Sequence, residues 1–317
     1  MREEARASPA GGFALLASVT LLWGVNWPAM KLGLEVLGPW SFASLRLVIG
    51  TVGLFACALA FGQRLAIPAA DRRPLLLASL LSTTGWQLCS GYGLSLLPAG
   101  RSAIIAFTMP LWATLLSAML LGDRLTRAKL AALGLGLAGL ALLIVGEWRA
   151  IGAAPAGAFF MLAAALSWGA SAIVVKRHRW TMPSWPLTAW QVLLGGLPIV
   201  ILAPLIEPNF TRPGVSLATI PPLTWATLLY CATVPVVFCQ WGWVRLLQMF
   251  PASLAAISTL MIPVVGVWSS ALLLGEPVGA AELAALAAVV GALALVLRPG
   301  AGGFRPAAPS PRPEAGS

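Results

Sequence analysis

Ten stretches of about 20 residues, nearly free of charge and joined by short connections, decide what this chain can become. They run over 13–34, 39–61, 74–96, 102–121, 128–146, 156–176, 184–205, 223–245, 252–274 and 279–297. Each is long enough to cross the hydrocarbon of a bilayer as a helix, at about 1.5 Å per residue. Helix is required, because an open strand would leave its backbone N–H and C=O groups unpaired in lipid. Composition agrees: 9% of the 317 residues are charged and 59% are hydrophobic, against roughly 25% charged in a soluble domain. The fold class expected is an all-α integral membrane protein with ten transmembrane helices. Residues 1–12 are a polar tail with no positively charged lead into a cleavage site, so no signal peptide is expected. Residues 298–317, rich in Pro, Gly and Ser, are expected to be a disordered tail.

One of these helices is written twice. At an offset of 153 residues, Ala103, Ile104, Pro110, Ser117, Ala118, Leu120, Leu121 and Gly122 fall on Ala256, Ile257, Pro263, Ser270, Ala271, Leu273, Leu274 and Gly275, and an acid follows each glycine. The repetition extends outward. At an offset of 145, Trp23, Gly24, Lys31, Trp40 and Gly50 match Trp168, Gly169, Lys176, Trp185 and Gly195, while Asn26 falls on Ser171 and Arg46 on Gln191. Gln87 and Pro98 match Gln240 and Pro251 at the longer offset. Two repeats of five spans follow, 13–146 and 156–297, and an odd number of spans inverts the second relative to the first.

Charge placement fits that inversion. With the N-terminus in the cytoplasm, fifteen of the 20 Lys and Arg fall on the inner side and four, Lys31, Arg101, Arg149 and Arg212, on the outer side. The net charge of +10 therefore reads as membrane orientation and not as a nucleic-acid surface. Cys57, Cys89, Cys231 and Cys239 sit inside apolar segments without metal-ligand spacing and read as small buried hydrophobes. Gly134-Leu-Gly-Leu-Ala-Gly139 matches a dinucleotide fingerprint only by accident, since no strand precedes it. The single histidine, His178, lies in a basic loop and reads as a solvated face. No carboxylate pair or His/Asp/Glu cluster lies within a span, so neither an enzyme, a cofactor nor a metal site is expected.

Polar and aromatic residues at mid-span mark where a cavity should be, because polar groups facing lipid are costly. They are Trp23 and Asn26 in the first span, Trp86, Gln87 and Ser90 in the third, Thr108 and Trp112 in the fourth, Trp168 and Ser171 in the sixth, Gln240 and Trp243 in the eighth, and Ser258 and Thr259 in the ninth. The tryptophans either line a cavity or simply pack, and the glutamines either meet substrate or bond between helices. Arg46 either snorkels toward the outer interface or attracts an anionic group. Pro110 and Pro263 kink their helices and deprive the carbonyls of Ala106 and Thr259 of a donor. Trp40, Trp148, Trp180, Trp185 and Trp225 lie near span ends, as an interfacial belt does.

The Trp23-Gly24-x-Asn26 start, Arg46, and the Pro110…Gly122-Asp123 and Pro263…Gly275-Glu276 pattern resemble the EamA family of the drug/metabolite transporter superfamily. The resemblance implies two inverted five-helix halves around a central cavity, alternating access, and export of amino acids, other metabolites or toxic compounds. Tryptophans with a carboxylate-free core suit an amino acid or a similar small amphipathic metabolite. A multidrug exporter of lipophilic compounds and, in another class, a channel or non-transporting membrane protein are the alternatives. A bacterial-type inner membrane, cytoplasmic termini and a facilitator without ion coupling complete the expectation.

Overall fold

A computed structural model describes residues 9–121, 127–148, 154–211, 217–242, 246 and 261–297. Among them everything regular is helical, apart from one isolated bridge between Leu37 and Thr211. The helices are α1 (Pro9–Val36), α2 (Pro39–Ala60), α3 (Arg72–Ser79), α4 (Trp86–Leu96), α5 (Ala99–Ala106), α6 (Met109–Leu121), α7 (Arg127–Trp148), α8 (Ala154–Arg177), α9 (Ser184–Ile206), α10 (Pro222–Thr233), α11 (Met261–Leu274) and α12 (Ala280–Leu297). Among the described residues six stretches are long and apolar enough to cross a membrane: Gly11–Val36, Pro39–Ala60, Ala99–Leu120, Pro155–Val175, Ser184–Ile206 and Pro222–Gly242. Shorter apolar helices run over Leu130–Gly139, Met261–Leu274 and Ala280–Ala292. The tails at 1–8 and 298–317 lie outside the described residues.

The molecule is apolar on its outside. Leu272, Leu205 and Phe159 are among many large hydrophobics left open, more than a water-soluble surface carries. Polar side chains go the other way: Asn26, Arg46, Thr83, Gln87, Ser90 and Ser171 are all buried.

Two spans change helical pitch midway. A π-helical turn at Leu80–Gly85 joins α3 to α4, and another at Val234–Cys239 follows α10. Such turns shift the i→i−4 ladder by one residue and re-aim the side chains beyond them. The first is tied to its neighbours by hydroxyls: Ser167 donates to the Leu81 carbonyl at 2.8 Å, and Thr83 donates to the Gln191 carbonyl at 3.2 Å. Of the two expected proline kinks, the first proves to be a break. Helix α5 stops at Ala106, Phe107 and Thr108 form a turn, and Pro110 stands in the first turn of α6. A proline there sacrifices no helical bond, whereas mid-helix it would. Pro263 is buried within α11.

Close helix contacts recur in matching pairs. A Cβ at Gly50 would stand 2.6 Å from Val236 and 3.2 Å from the Ala232 carbonyl, and one at Gly195 would stand 2.6 Å from Thr83 and closer to the Ser79 carbonyl. Gly24 lies against Val265 and the Gly266 nitrogen; Gly169 lies against Trp112 and the Ala113 nitrogen. Helices α2 and α9 pack on each other, as do α7 and α12. The latter pair closes on small residues, where a Cβ at Gly139 would come within 2.7 Å of the Ala288 methyl. Gly136, against Leu111 and Ala292, and Gly139 of the false dinucleotide match are thus helix-packing positions of α7, whereas Gly134 meets nothing within 4 Å.

Candidate functional site

Three carboxylates fasten the bundle ends. Glu207, just after α9, accepts the backbone N–H groups of Trp40 at 3.2 Å and Ser41 at 2.9 Å, and the Ser41 hydroxyl at 2.8 Å, capping α2. Glu276, after α11, caps α5 through the N–H groups of Ala99 at 2.6 Å and Gly100 at 2.9 Å. Asp71 accepts the Thr181 hydroxyl at 2.7 Å and the Thr181 N–H at 3.2 Å, and pairs with His178 at 2.7 Å. Burial would push the Asp71 carboxyl up, but the hydrogen bonds from His178 and Thr181 and the charge of His178 outweigh it and hold it below the usual carboxylate range. His178 is therefore a partner of a buried acid, which corrects its reading as a solvated loop residue. Glu282 pairs with Arg101 at 2.6 Å.

Between the ends, α1, α2, α4 and α10 enclose a polar cluster. Asn26 and Met30 are one helical turn apart on α1, and the Asn26 amide donates to the Met30 sulfur at 3.1 Å. Arg46 reaches in from α2. Its Nε donates to the Cys231 carbonyl at 2.9 Å, and its Nη1 lies 3.3 Å from both the Met30 sulfur and the Gln87 Oε1. Ser90 donates weakly to the Gln87 carbonyl at 3.4 Å. Arg46 is 6% exposed and Asn26 8%. The snorkelling reading of Arg46 is thus corrected: the side chain turns away from the interface and into the bundle.

The other sequence-expected residues stand around this cluster or apart from it. Trp23 and Trp86 are half-buried against the main apolar core. Thr108 bridges the break between α5 and α6, donating to the Ile105 carbonyl at 2.7 Å and accepting from Trp112 Nε1 at 3.1 Å. Ser171 donates to the Ala78 carbonyl at 3.3 Å. Trp168 is 38% exposed, although Met161 and Ala165 on its own stripe of α8 are sealed. Gln240 is separate, lining a cleft with Leu54, Ser184, Trp185, Thr188 and Trp241. There Trp185 stacks between Phe61 and Trp241. Trp243, Ser258 and Thr259 lie outside the described residues. Sequence reasoning missed Met30 and the Cys231 carbonyl; a charged residue in mid-bundle was the available signal, but its partners lie on other helices.

The model of the EamA-like transporter family matches twice, over residues 10–145 and 155–298. A Bacillus subtilis (strain 168) protein named an uncharacterized transporter, YoaV, is 27% identical over 83% of this chain and 88% of its own. A Salmonella typhimurium protein named a probable amino-acid metabolite efflux pump is 29% identical over 89% of this chain and 93% of its own. A solved crystal structure superposes with a TM-score of 0.63 at 21% identity, over 91% of this chain and 98% of that one. With two family matches covering nearly the whole sequence, the chain is a multi-pass membrane transporter and belongs to the EamA-like transporter family.

Proposed function

We propose that this protein is an inner-membrane exporter of amino acids or similar small amphipathic metabolites, built as ten spans in two inverted repeats, and working by alternating access. The observation that carries the architecture is the pairing of close contacts. Gly24 and Gly169, 145 residues apart, meet Val265 and Trp112, 153 residues apart; Gly50 and Gly195 meet Val236 and Thr83 at the same two offsets. A pseudo-twofold between the halves accounts for all four, and the π turns at 80–85 and 234–239 fall within one residue of the longer offset. The acid clasps fit inversion too. Glu207 holds the start of α2, and Asp71 holds the residues before α9, so each half fastens the second helix of the other.

The substrate class rests on the name of the Salmonella relative and on the chemistry of the core. Trp23, Trp86 and Trp168 offer apolar faces, while Asn26, Gln87, Ser90, Thr108 and Ser171 offer polar groups at mid-bundle; Gln240, Trp243, Ser258 and Thr259 complete the proposed lining. Transport by a facilitator fits the placement of acids: among the described residues Asp71, Glu207, Glu276 and Glu282 are engaged at helix ends, and a proton carrier would want one at mid-span. Purified protein in liposomes should take up labelled leucine without an imposed pH gradient or voltage and stop at equal concentrations. Accumulation above equality under a proton gradient would overturn the facilitator. Movement of lipophilic cations with no movement of any amino acid would favour the multidrug alternative.

A further inference from the structure

Arg46 is a charge without a counter-charge. The guanidinium keeps its proton under any ordinary condition, and no carboxylate stands within ion-pair distance of it among the described residues. Its donors are spent on a backbone carbonyl, on an amide oxygen at 3.3 Å and on a thioether at 3.3 Å. A thioether is a weak acceptor, and the single amide contact, to Gln87 Oε1 at 3.3 Å, is long for a charge-assisted bond. Nη2 makes no hydrogen bond among the described residues. An isolated charge at such depth is costly to keep unless something completes its shell.

The complement stands beside it. Asn26 Oδ1 is buried and has no hydrogen-bond partner, an omission that costs about 1–3 kcal/mol in a protein interior. The Asn26 amide nitrogen and Arg46 Nη1 both touch the Met30 sulfur, at 3.1 and 3.3 Å. An under-used cation and an orphan acceptor are therefore held side by side across one flexible side chain. Met30 is unbranched and rotatable, the kind of residue that moves aside to admit a ligand.

We propose that this cluster is the head-group subsite for a zwitterionic α-amino acid. Arg46 receives the carboxylate, and Asn26 Oδ1 receives the ammonium once Met30 swings away. Gln87 holds the guanidinium plane in position through its Oε1, and the Cys231 carbonyl fixes the Nε edge, leaving the Nη edge to the ligand. This assignment rests on the exporter reading above and adds to it the group that reads each pole of the substrate. It also explains why the core needs no carboxylate of its own: the substrate brings one.

The test is uptake into proteoliposomes of three molecules of one shape: leucine, leucinamide, which lacks the carboxylate, and 4-methylpentanoate, which lacks the amine. The wild type should favour leucine. Arg46→Gln should cut leucine uptake at least tenfold while leaving leucinamide uptake within a factor of two, so that leucinamide reports folding and insertion. Arg46→Lys should recover part of the leucine rate. Asn26→Ala should cut leucine uptake and spare 4-methylpentanoate. Equal loss of leucine and leucinamide in both Arg46 variants would overturn the assignment and leave the exporter reading standing. A wild type that moves 4-methylpentanoate through Arg46 but not leucine would overturn the amino-acid reading and the ammonium role of Asn26, and leave Arg46 as a carboxylate receptor. A wild type that moves none of the three would overturn both.

Discussion

At Gly195 a Cβ would stand 2.6 Å from Thr83 Cβ and closer still to the Ser79 carbonyl oxygen. The oxygen belongs to the backbone just ahead of the first π turn and cannot step aside as a side-chain tip can. Gly195→Ala must therefore separate α9 from that turn, and overpacking of this kind costs about 1–3 kcal/mol. Gly134, with nothing within 4 Å, is the control: its alanine variant should be neutral or slightly stabilising. Thermal unfolding in detergent should place Gly195→Ala several degrees below wild type and Gly134→Ala at or above it; equal melting points would mean that α9 is free to shift. At this scale the sequence was a fair guide to which residues matter and a poor one to where they point. Gly50 and Gly195 were visible as a matched pair, but Arg46 was not visible as buried. Six residues from Trp40 on an apolar helix, it could equally reach the interface, and only the partners on α1, α4 and α10, up to 185 residues away, turn it inward.

Helices were legible because lipid leaves a spanning segment no alternative, and the described helices fall where the apolar windows lie. Interruptions within them were less so. Pro110 announced a disturbance, and it came as a break because Thr108 supplies a hydroxyl that bonds both sides of the gap. The π turn at 80–85 has no proline to announce it; hydroxyls on that turn and on α8, such as Ser167, hold it open. The end clasps were hidden for the same reason, since Asp71 and Thr181 are 110 residues apart. Asp71 makes a prediction at this scale. Its carboxyl titrates below the usual carboxylate range, whose reference here is 3.8, so the folded state holds the ionised form more tightly than the unfolded state does. The clasp is then worth its full amount above that reference and is lost as pH falls through the lower, folded value. Asp71→Asn should melt several degrees below wild type at pH 7, and the gap should close as pH drops below about 4. A gap that stays constant down to pH 3 would mean that the carboxylate charge contributes nothing to the clasp.

Taken whole, the contacts between connections fall into two sets. The residues before α2 meet the end of α9, and the start of α5 meets the end of α11. Separately, the segment before α3 meets the loop between α8 and α9. A bundle crossing a membrane keeps such sets on opposite sides, and the charge bias is the ground for proposing that the second set, with Arg64, Arg72, Arg73, Arg177 and Arg179, faces the cytoplasm. Inversion then makes a sharp demand. Arg64 and Asn209 occupy equivalent positions at the offset of 145, after the second helix of each half, and both are exposed. Parallel repeats would place them on the same side of the membrane; inverted repeats must place them on opposite sides. In a chain with Cys57, Cys89, Cys231 and Cys239 replaced by serine or alanine, Asn209→Cys should react with an impermeant maleimide added to intact cells, and Arg64→Cys should react only after the cells are opened. Labelling of both from outside, or of neither, would break the inverted-repeat model, and with it the pseudo-twofold that relates Gly24 to Gly169 and Gly50 to Gly195. The opposite assignment, with Arg64→Cys labelled from outside, would keep the inversion and reverse the orientation, making charge and not topology the part that failed.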